Sequence, residues 1–181
     1  LYTVVTKDGD GTVSARVVGS IVDYLLAPQA PEAVVARIAH PDTRIVTLTI
    51  TEGGYSVNEA TGAFDPTPEV LADLEPGATP STAFGLVVAA LARRRDEGTG
   101  PLTIASCDNL PGNGDLAKLA FTAFAERLDP ELAAWIRAEI AFPNSMVDRI
   151  APVTTDADRA LLTERFGVVD GWPAVCEPFT M

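Results

Sequence analysis

The sequence is poor in the side chains that most metal sites and nucleophilic enzymes need. Its 181 residues include one histidine, His40, and two cysteines, Cys107 and Cys176. Two cysteines do not make a disulfide framework, and no histidines or cysteines have the close spacing of a metal site. A thiol nucleophile at Cys107 would need a base, usually histidine, but His40 precedes Pro41 at a predicted helix end, where capping or exposure is favoured. We therefore expect neither a metal centre nor a cysteine nucleophile.

Positive charge and long apolar runs are also scarce. Lys and Arg total 13 against 25 Asp and Glu, which gives a net charge of -12 and a pI near 4.3. A nucleic-acid partner needs a basic stripe, and the one basic cluster, Arg93 to Arg95, lies where a helix should end and complements its dipole. No apolar run reaches the roughly 18 residues of a membrane span, and we expect no signal peptide. We predict a soluble, cytoplasmic protein with no nucleic-acid or membrane partner.

Hydrophobic residues make up 47% of the chain, which is enough for the core of one domain of ordinary size. The chain starts inside a strand-like stretch, LYTVVT, and ends in another apolar stretch without a polar tail. We expect it to be a piece of a longer polypeptide. The residues do not specify an oligomeric state, and a monomer is compatible with them.

Strand patterns occur at the two ends and twice in between. Asp-Gly pairs between extended runs predict a hairpin over residues 1–19. The β-branched run at 44–50 is typical of a strand covered on both faces. Residues 101–106 and 173–179 predict two further strands. We expect 44–50 and 101–106 to be central in the sheet and neighbours or nearly so.

Helical patterns separate these strands. The segments concerned are 31–40, 79–95 with a cap and first turn at Thr79 and Pro80, 113–128 with a cap at Asn113, 129–140, and 156–167. The inward face of the third helix is predicted to be Leu116, Leu119, Ala120, Ala123 and Phe124. Strands alternating with helices predict an α/β fold with a largely parallel sheet and helices on both of its faces.

Three polar loops are predicted to follow apolar strands: TEGGYS after Ile50, SCDNLPGNG after Ala105, and FPNSMVD after Ile140. Any one of them is explained by the turn-forming residues it contains. In a parallel sheet, however, loops at the carboxyl ends of strands share one edge. Glu52, Asn109 and Asp148, one from each loop, could therefore converge on one site.

Nucleotide-binding signatures are missing from the chain. The segment GDGTVS (9–14) has the first two glycines of GxGxxG without the third, and it lies in the predicted hairpin rather than before a helix. No GxxxxGK[ST] motif is present. The residues by themselves lead to an acidic α/β domain with a polar site at one sheet edge.

The blocks RIVTLTITEGGY, SCDNLPGNG and FPNSMVDRIAPVT, in this order and with these gaps, resemble the polyol-specific long-chain dehydrogenases. That family includes mannitol 2-dehydrogenase, fructuronate and tagaturonate reductases, and arabinitol dehydrogenase. The resemblance runs over nearly the whole chain and implies a Rossmann-like fold. It also implies NAD as cofactor, a polyol or keto-sugar as substrate, and hydride transfer without a metal. The choice of family member, and of NAD over NADP, stays open.

The resemblance also implies roles for particular residues. Asn109 would hold the reacting oxygen of the substrate with an amide N–H, and a fixed neutral donor suits an alkoxide-like transition state. Asp148 would bind a substrate hydroxyl, and Glu52 would lie near the catalytic lysine, on the proton path to water. Asp108 would orient its loop. The residues that would approach the nicotinamide side of the cofactor are Thr51, Glu52, Gly53 and Gly54.

The family's Gly-rich phosphate loop would lie upstream of Leu1, and its catalytic lysine downstream of Met181. We therefore expect residues 1–181 to be the middle and C-terminal part of a single Rossmann-like domain, with the first Gly-rich βα unit and the helical C-terminal domain absent. Met181 departs from the family, where Gln or Glu before Trp usually follows CEPF. Residues 1–181 alone are expected to be inactive. The alternative is a non-catalytic α/β scaffold or binding module.

Overall fold

The structure is a computed structural model that describes residues 1–58, 60–147 and 151–178, the side chain of Glu52 excepted. Within these ranges the strands are β1 (Tyr2–Lys7), β2 (Val13–Val18), β3 (Ile45–Leu48), β4 (Thr103–Ser106) and β5 (Ala174–Cys176). The helices are α1 (Pro31–Ala39), α2 (Pro68–Ala72), α3 (Ala83–Asp96), α4 (Asn113–Leu128), α5 (Pro130–Glu139) and α6 (Asp156–Phe166), with a 3₁₀ turn at Glu52–Tyr55. The predicted α/β class is confirmed. Two compact units form, Leu1–Tyr24 with Asp148–Met181, and Leu25–Val147.

The first unit contains a three-stranded sheet in the order β2-β1-β5. β1 and β2 form the antiparallel hairpin predicted for residues 1–19, with Val5 opposite Ala15. Gly11, at φ 86°, allows the tight connection between them, because glycine has no Cβ to oppose a positive φ. β5 pairs with β1 in parallel, which confirms the predicted last strand.

Helix α6 joins this sheet through its buried Leu162, which packs with Val5 and Val175. The helix begins at a capping box in which Thr155 and Asp158 bond to each other's backbone N–H. It ends at Gly167, as predicted, in the left-handed conformation. Lys7 donates to the buried Asp158 carboxylate at 2.5 Å, and this bond, with those from Thr155, lowers the pKa of Asp158 to about 2.

The second unit has a parallel pair, β3 and β4, in which Ile45 faces Thr103 and Leu48 faces Ser106. The prediction that these two strands are neighbours is confirmed. β4 also bridges Ala141 through Thr103, so it lies between two partners. β3 differs from the prediction, because among the described residues it pairs with β4 alone and Ile45 is 62% exposed. One edge of β3 thus lacks a partner strand among the described residues, and its first residue is largely exposed to solvent. β3 is therefore neither central in the sheet nor covered on both faces.

Helices α3, α4 and α5 supply most of the core of this unit. The aromatic rings of Phe84, Phe121 and Phe124 meet at centroid distances of 4.7 and 5.6 Å, with Phe84 in contact with both others. Apolar side chains of α5, among them Leu132 and Ile136, close the same cluster. In the described part of the chain, no helix combines the length and apolar character needed to cross a bilayer.

Two helical details differ from the prediction. Helix α3 is capped by Thr82, whose Oγ1 accepts from the Gly85 N–H, and not by Thr79 and Pro80. In α4 the predicted inward residue Leu119 is 41% exposed, whereas Ala120 and Phe124 are buried as predicted. Leu119 lies two positions from the buried Phe121, and residues two apart in a helix do not share a face.

Arg94, in the last turn of α3, is fully buried. Its guanidinium lies within hydrogen-bonding distance of six backbone carbonyls: Ile38, Ala39, His40, Thr43, Gly100 and Pro101. These carbonyls come from the C-terminal end of α1 and from the segments that enter β3 and β4. Burial lowers the pKa of Arg94, yet a guanidinium remains protonated in proteins. The cluster Arg93 to Arg95 therefore contains a structural residue as well as charges at a helix end.

Replacing Arg94 by Met is expected to lower the free energy of unfolding by roughly 3 kcal/mol or more, because several buried carbonyls lose their donor. Urea denaturation of the full-length gene product would measure the loss. Arg93→Met is the matched control, since Arg93 lies one residue away and bonds Glu32 and Glu97 at the surface. Equal losses in the two variants would contradict the structural role of Arg94.

Candidate functional site

The loop after β3 has a backbone that is unusual for its sequence. Thr51 has φ 63° and ψ 170°, and Ser56 has φ 51° and ψ 43°. Between them lies the 3₁₀ turn Glu52–Tyr55. Non-glycine residues rarely adopt positive φ, and β-branched residues least of all. Such strain persists only where the surroundings fix it, and it is often found at functional sites.

The residue that fixes this loop is Asp108, in the loop after β4. Its carboxylate is buried and accepts hydrogen bonds from the N–H groups of Ile50 (3.1 Å) and Thr51 (2.9 Å) and from the hydroxyl of Tyr55 (2.7 Å). Ile50 and Tyr55 bond the same oxygen, Oδ2, and Thr51 bonds Oδ1. One buried carboxylate therefore joins the loops that follow the two parallel strands.

The Tyr55 hydroxyl continues this network into β4. It lies 2.6 Å from Ser106 Oγ. A carboxylate only accepts, so the hydroxyl of Tyr55 donates to Asp108 and accepts from Ser106. Burial, opposed by the bond from Ser106 and reinforced by Asp108, raises the pKa of Tyr55. The phenol therefore stays protonated and acts as a fixed donor.

The third loop, residues 142–147, is bound to the start of α4. Asn113 donates to the Ser145 carbonyl at 3.0 Å, and its Oδ1 accepts from the Ser145 N–H at 3.0 Å. Ser145 Oγ also donates to the Ser106 carbonyl at 2.7 Å. Asn113 is thus not the predicted cap of α4. Gly112 holds that position with φ 64°, and Asn113 connects two loops.

Asn144 completes this junction by capping α4 from outside the helix. Its Oδ1 accepts from the N–H groups of Gly114 and Asp115, while its Nδ2 donates to the Asp115 carboxylate. A Cβ on Gly114 would lie 2.4 Å from the Pro143 carbonyl oxygen. The third loop therefore approaches the helix more closely than any side chain would permit. It follows α5 and the single bridge at Ala141, not a strand of its own as predicted.

These contacts bring the described parts of the three predicted loops together around Asn109. Asn109 is exposed and borders two clefts. One, of about 350 Å³, is lined by Thr51, Gly53, Asp108 and Asn109. The other, of about 420 Å³, extends from Asp108 to Asn113 and across to residues 144–147. Larger grooves lie along α4 and beside residues 73–80, but no residue of the three predicted loops lines either of them.

The other predicted site residues are placed differently. Gly54 lies on a separate apolar pocket with Val70 and Phe84 rather than on the cleft of Asn109. Glu52 begins the 3₁₀ turn, but its side chain lies outside the description, as does the whole of Asp148. Cys107 and Cys176 are not disulfide-bonded. Among the described residues, no group of three or more His, Cys, Asp and Glu side chains is placed to hold a metal ion.

Sequence reasoning did not find the side chains that hold the loops together. These are Tyr55, Ser106, Asn113, Asn144 and Ser145. The only signal available was their position inside or beside the three polar loops. Asp108 was expected to orient its loop, but its bonds to the loop after β3 required the fold.

Comparison with known proteins places the chain among dehydrogenases. The family model described as "Mannitol dehydrogenase Rossmann domain" matches residues 1–181. The mannitol 2-dehydrogenases of Phaeosphaeria nodorum and Aspergillus fumigatus are 51% and 48% identical over 99% of the chain. The chain spans about a third of the length of these relatives, 32% and 36% respectively.

Two solved structures are similar over 98% of the chain. A D-sorbitol dehydrogenase in substrate-free form has a TM-score of 0.90 at 47% identity, and the chain covers 37% of it. The Pseudomonas fluorescens mannitol 2-dehydrogenase, in a ternary complex with NAD and D-mannitol, has a TM-score of 0.89 at 44% identity, and the chain covers 36% of it. The predicted Rossmann-like fold and the predicted family are confirmed.

Gly114→Ala is expected to destabilise the protein by about 1 to 3 kcal/mol, because the new Cβ would overlap the Pro143 carbonyl. The expectation reverses the usual effect, since alanine normally favours a helix over glycine by up to about 1 kcal/mol. Thermal unfolding would measure the change. Gly9→Ala is the control, because a Cβ there meets no atom within 4 Å. A Gly114→Ala variant that is more stable than the wild type would show that a Cβ fits between α4 and the third loop.

Proposed function

The chain belongs to the mannitol dehydrogenase family through its Rossmann domain, and we propose from this that the full-length gene product is an NAD-dependent polyol dehydrogenase. It oxidises a secondary alcohol of a polyol to the ketone, as in the conversion of mannitol to fructose. The observation that carries the proposal is the close structural likeness, over nearly the whole chain, to a mannitol 2-dehydrogenase solved with NAD and D-mannitol. The proposal includes a cytoplasmic location and no nucleic-acid or membrane partner.

Asn109 is the residue that we assign to the reacting oxygen. Its loop is held on one side by Asp108 and on the other by Asn113, so the exposed amide has a rigid base. During oxidation the alcohol oxygen gains negative charge before the carbonyl forms. A neutral amide N–H held in place stabilises that charge without itself titrating, and it needs no reorganisation when the reaction occurs.

Glu52 and Asp148 complete the assignment. The proton that leaves the substrate hydroxyl must reach solvent, and we assign Glu52, at the start of the 3₁₀ turn, to that path beside a catalytic lysine from another part of the gene product. Asp148 follows the loop that Asn144 and Ser145 attach to α4, and we assign it to a substrate hydroxyl away from the reacting carbon. Both roles rest on the family resemblance.

The residues present fit a cofactor beside Asn109. A Cβ on Gly53 would meet no atom within 4 Å, so the backbone of this loop borders open space in the cleft that it shares with Thr51 and Asn109. Thr51, Glu52 and Gly53 would hold the nicotinamide side of NAD, with Gly54 supporting the turn behind them. When bound, NAD supplies the acceptor for the hydride that leaves the carbinol carbon. The residues of this chain would orient the cofactor and the substrate, exclude water and hold the reacting oxygen of the substrate.

The substrate is tested directly with the full-length gene product. NADH formation should be followed with mannitol, sorbitol and arabinitol, and NADH consumption with fructose, fructuronate and tagaturonate. We expect the highest kcat/KM with mannitol. Sorbitol is the second candidate, because the D-sorbitol dehydrogenase structure matches this chain as well as the mannitol enzyme does. No turnover with any of them, from folded protein, would favour a non-catalytic α/β module.

Asn109→Ala should lower kcat for polyol oxidation by roughly a hundredfold to a thousandfold, the usual loss on removal of one oxyanion donor. NAD binding should change little, since the amide is assigned to the reacting oxygen. Asn109→Asp should be at least as damaging near neutral pH, because a carboxylate repels the developing alkoxide. Turnover and melting temperature are to be measured on the same preparations. A variant that melts early but keeps near-normal kcat would assign Asn109 to the turn before Pro111.

Asp148→Ala is expected to raise the KM for polyol more than it lowers kcat, because a grip on a remote hydroxyl contributes to binding throughout the reaction. Steady-state kinetics at saturating NAD would separate the two constants. Asp156→Ala is a suitable control, since Asp156 is a highly exposed carboxylate nearby in the chain. A fall in kcat at unchanged KM would indicate that Asp148 acts in the chemical step rather than in substrate binding.

A further inference from the structure

We propose that Asp108 is a positioning residue for this dehydrogenase: its carboxylate holds Thr51 in a strained backbone conformation and so fixes the cofactor side of the cleft relative to Asn109. The inference rests on the proposed function and deepens it. Asp108 is not a catalytic residue in this proposal, because its two oxygens are already engaged by Ile50, Thr51 and Tyr55.

The strain at Thr51 needs a restraint. Its φ of 63° and ψ of 170° belong to a region used almost only by glycine, and threonine is β-branched. Relaxation to an ordinary conformation would turn the peptide that precedes Glu52. The consequence would be a different position for the Gly53 backbone, which lines the cleft with Thr51 and Asn109.

The restraint consists of the hydrogen bonds that two consecutive backbone N–H groups donate to one carboxylate. The N–H of Ile50 lies 3.1 Å from Asp108 Oδ2, and the N–H of Thr51 lies 2.9 Å from Oδ1. Bonds from N–H groups to an ionised acceptor are stronger than those between neutral groups. Tyr55 fixes the carboxylate from the far side of the turn at 2.7 Å. The turn is therefore held at both its beginning and its end.

The position of Asp108 in the chain connects this restraint to the reaction. Asp108 is followed directly by Asn109, and both line the cleft that Thr51 and Gly53 complete. The side chain of Asp108 thus connects the loop assigned to NAD directly with the segment that carries the amide assigned to the substrate oxygen. Small misplacements of reacting groups slow enzymes strongly. Asp108 is therefore expected to affect kcat without contacting the substrate.

Two substitutions separate restraint from mere stability. Asp108→Asn keeps the size of the side chain but places an NH₂ group against N–H or O–H donors, which removes hydrogen bonds that hold the loop after β3. Thr51→Gly removes the Cβ that opposes the observed φ, so the loop needs less restraint. If the proposal holds, Thr51→Gly restores part of the activity lost in Asp108→Asn, a coupling that a double-mutant cycle measures.

Asp73 offers a matched control in the same unit. Its carboxylate also accepts several hydrogen bonds, from the N–H and hydroxyl groups of Ser81 and Thr82. Burial alone would raise the pKa of Asp73, but these bonds outweigh it and lower the pKa. It holds the start of α3 through Ser81 and Thr82, outside the loops that follow β3 and β4. Asp73→Asn therefore removes a comparable structural carboxylate away from the cleft.

The experiment compares the full-length wild type with Asp108→Asn, Thr51→Gly, their double variant and Asp73→Asn. Asp108→Asn should lower kcat by about tenfold to a hundredfold, the equivalent of one charged hydrogen bond. The KM for NAD should rise, and the KM for polyol should stay within about twofold. In the double variant kcat should recover by about fivefold or more. Asp73→Asn should melt earlier at unchanged kcat.

Three results would overturn the proposal: an unchanged kcat in Asp108→Asn, no recovery in the double variant, or an equal loss of kcat in Asp73→Asn. If Asp108→Asn does not fold, Tyr55→Phe takes its place, because it removes only one of the three donors. It should lower kcat several-fold, less than Asp108→Asn because the bonds from Ile50 and Thr51 remain, and Thr51→Gly should again restore part. An unchanged kcat in Tyr55→Phe would then overturn the proposal.

Amide hydrogen exchange keeps this inference separate from the proposed function. Residues 50–56 should exchange faster in Asp108→Asn than in wild type and at the wild-type rate in Asp73→Asn, whether or not any polyol is oxidised. Equal exchange in wild type and Asp108→Asn would refute the restraint itself. If the wild-type protein oxidises no polyol, and residues 50–56 still exchange faster in Asp108→Asn than in wild type, the proposed function alone is refuted.

Discussion

The buried carboxylate of Asp108 is the constraint on which the arrangement of the site depends. An ionised carboxylate taken out of water is costly unless hydrogen-bond donors replace its hydration. Here the donors are two backbone amides and a phenol, all from the loop after β3. Because those donors satisfy the charge only in one arrangement, the loop has a defined position. The two loops that follow β3 and β4 therefore behave as one structure.

The same strand pair is held at its other end by the opposite charge. Arg94 binds carbonyls in the segments that enter β3 and β4 and at the C-terminal end of α1, where the helix dipole is negative. Among the described residues Arg94 forms no ion pair. Both buried charges are thus stabilised by backbone groups, which ties each of them to the path of the chain rather than to a single partner side chain.

This arrangement explains how an exposed residue can have a precise position. Asn109 lies at the surface, where loops are usually mobile. Its neighbours are nevertheless fixed, Asp108 by the loop after β3 and Asn113 by Ser145. A site has a precise geometry when the residues behind it are held in place by packing and by hydrogen bonds to further residues. The polar residues that are buried around the exposed Asn109 supply that support.

Much of this protein follows from the sequence, because the patterns concerned are local. The hairpin, the existence of strands within 44–50 and 101–106, the helix at Asp129-Pro130 and the stop at Gly167 each depend on periodicity, turn residues or caps within a few positions. Family motifs in the loops added the Rossmann fold and the role that we propose for Asn109. Tertiary structure decided the rest: the burial of Arg94, the exposure of Ile45 and Leu119, and the role of Asn113. It also decided that Asp108 holds Ile50 and Thr51, 58 and 57 residues away. A carboxylate's donors depend on which loops meet at a sheet edge, and that is set by the pairing of distant strands rather than by neighbouring residues.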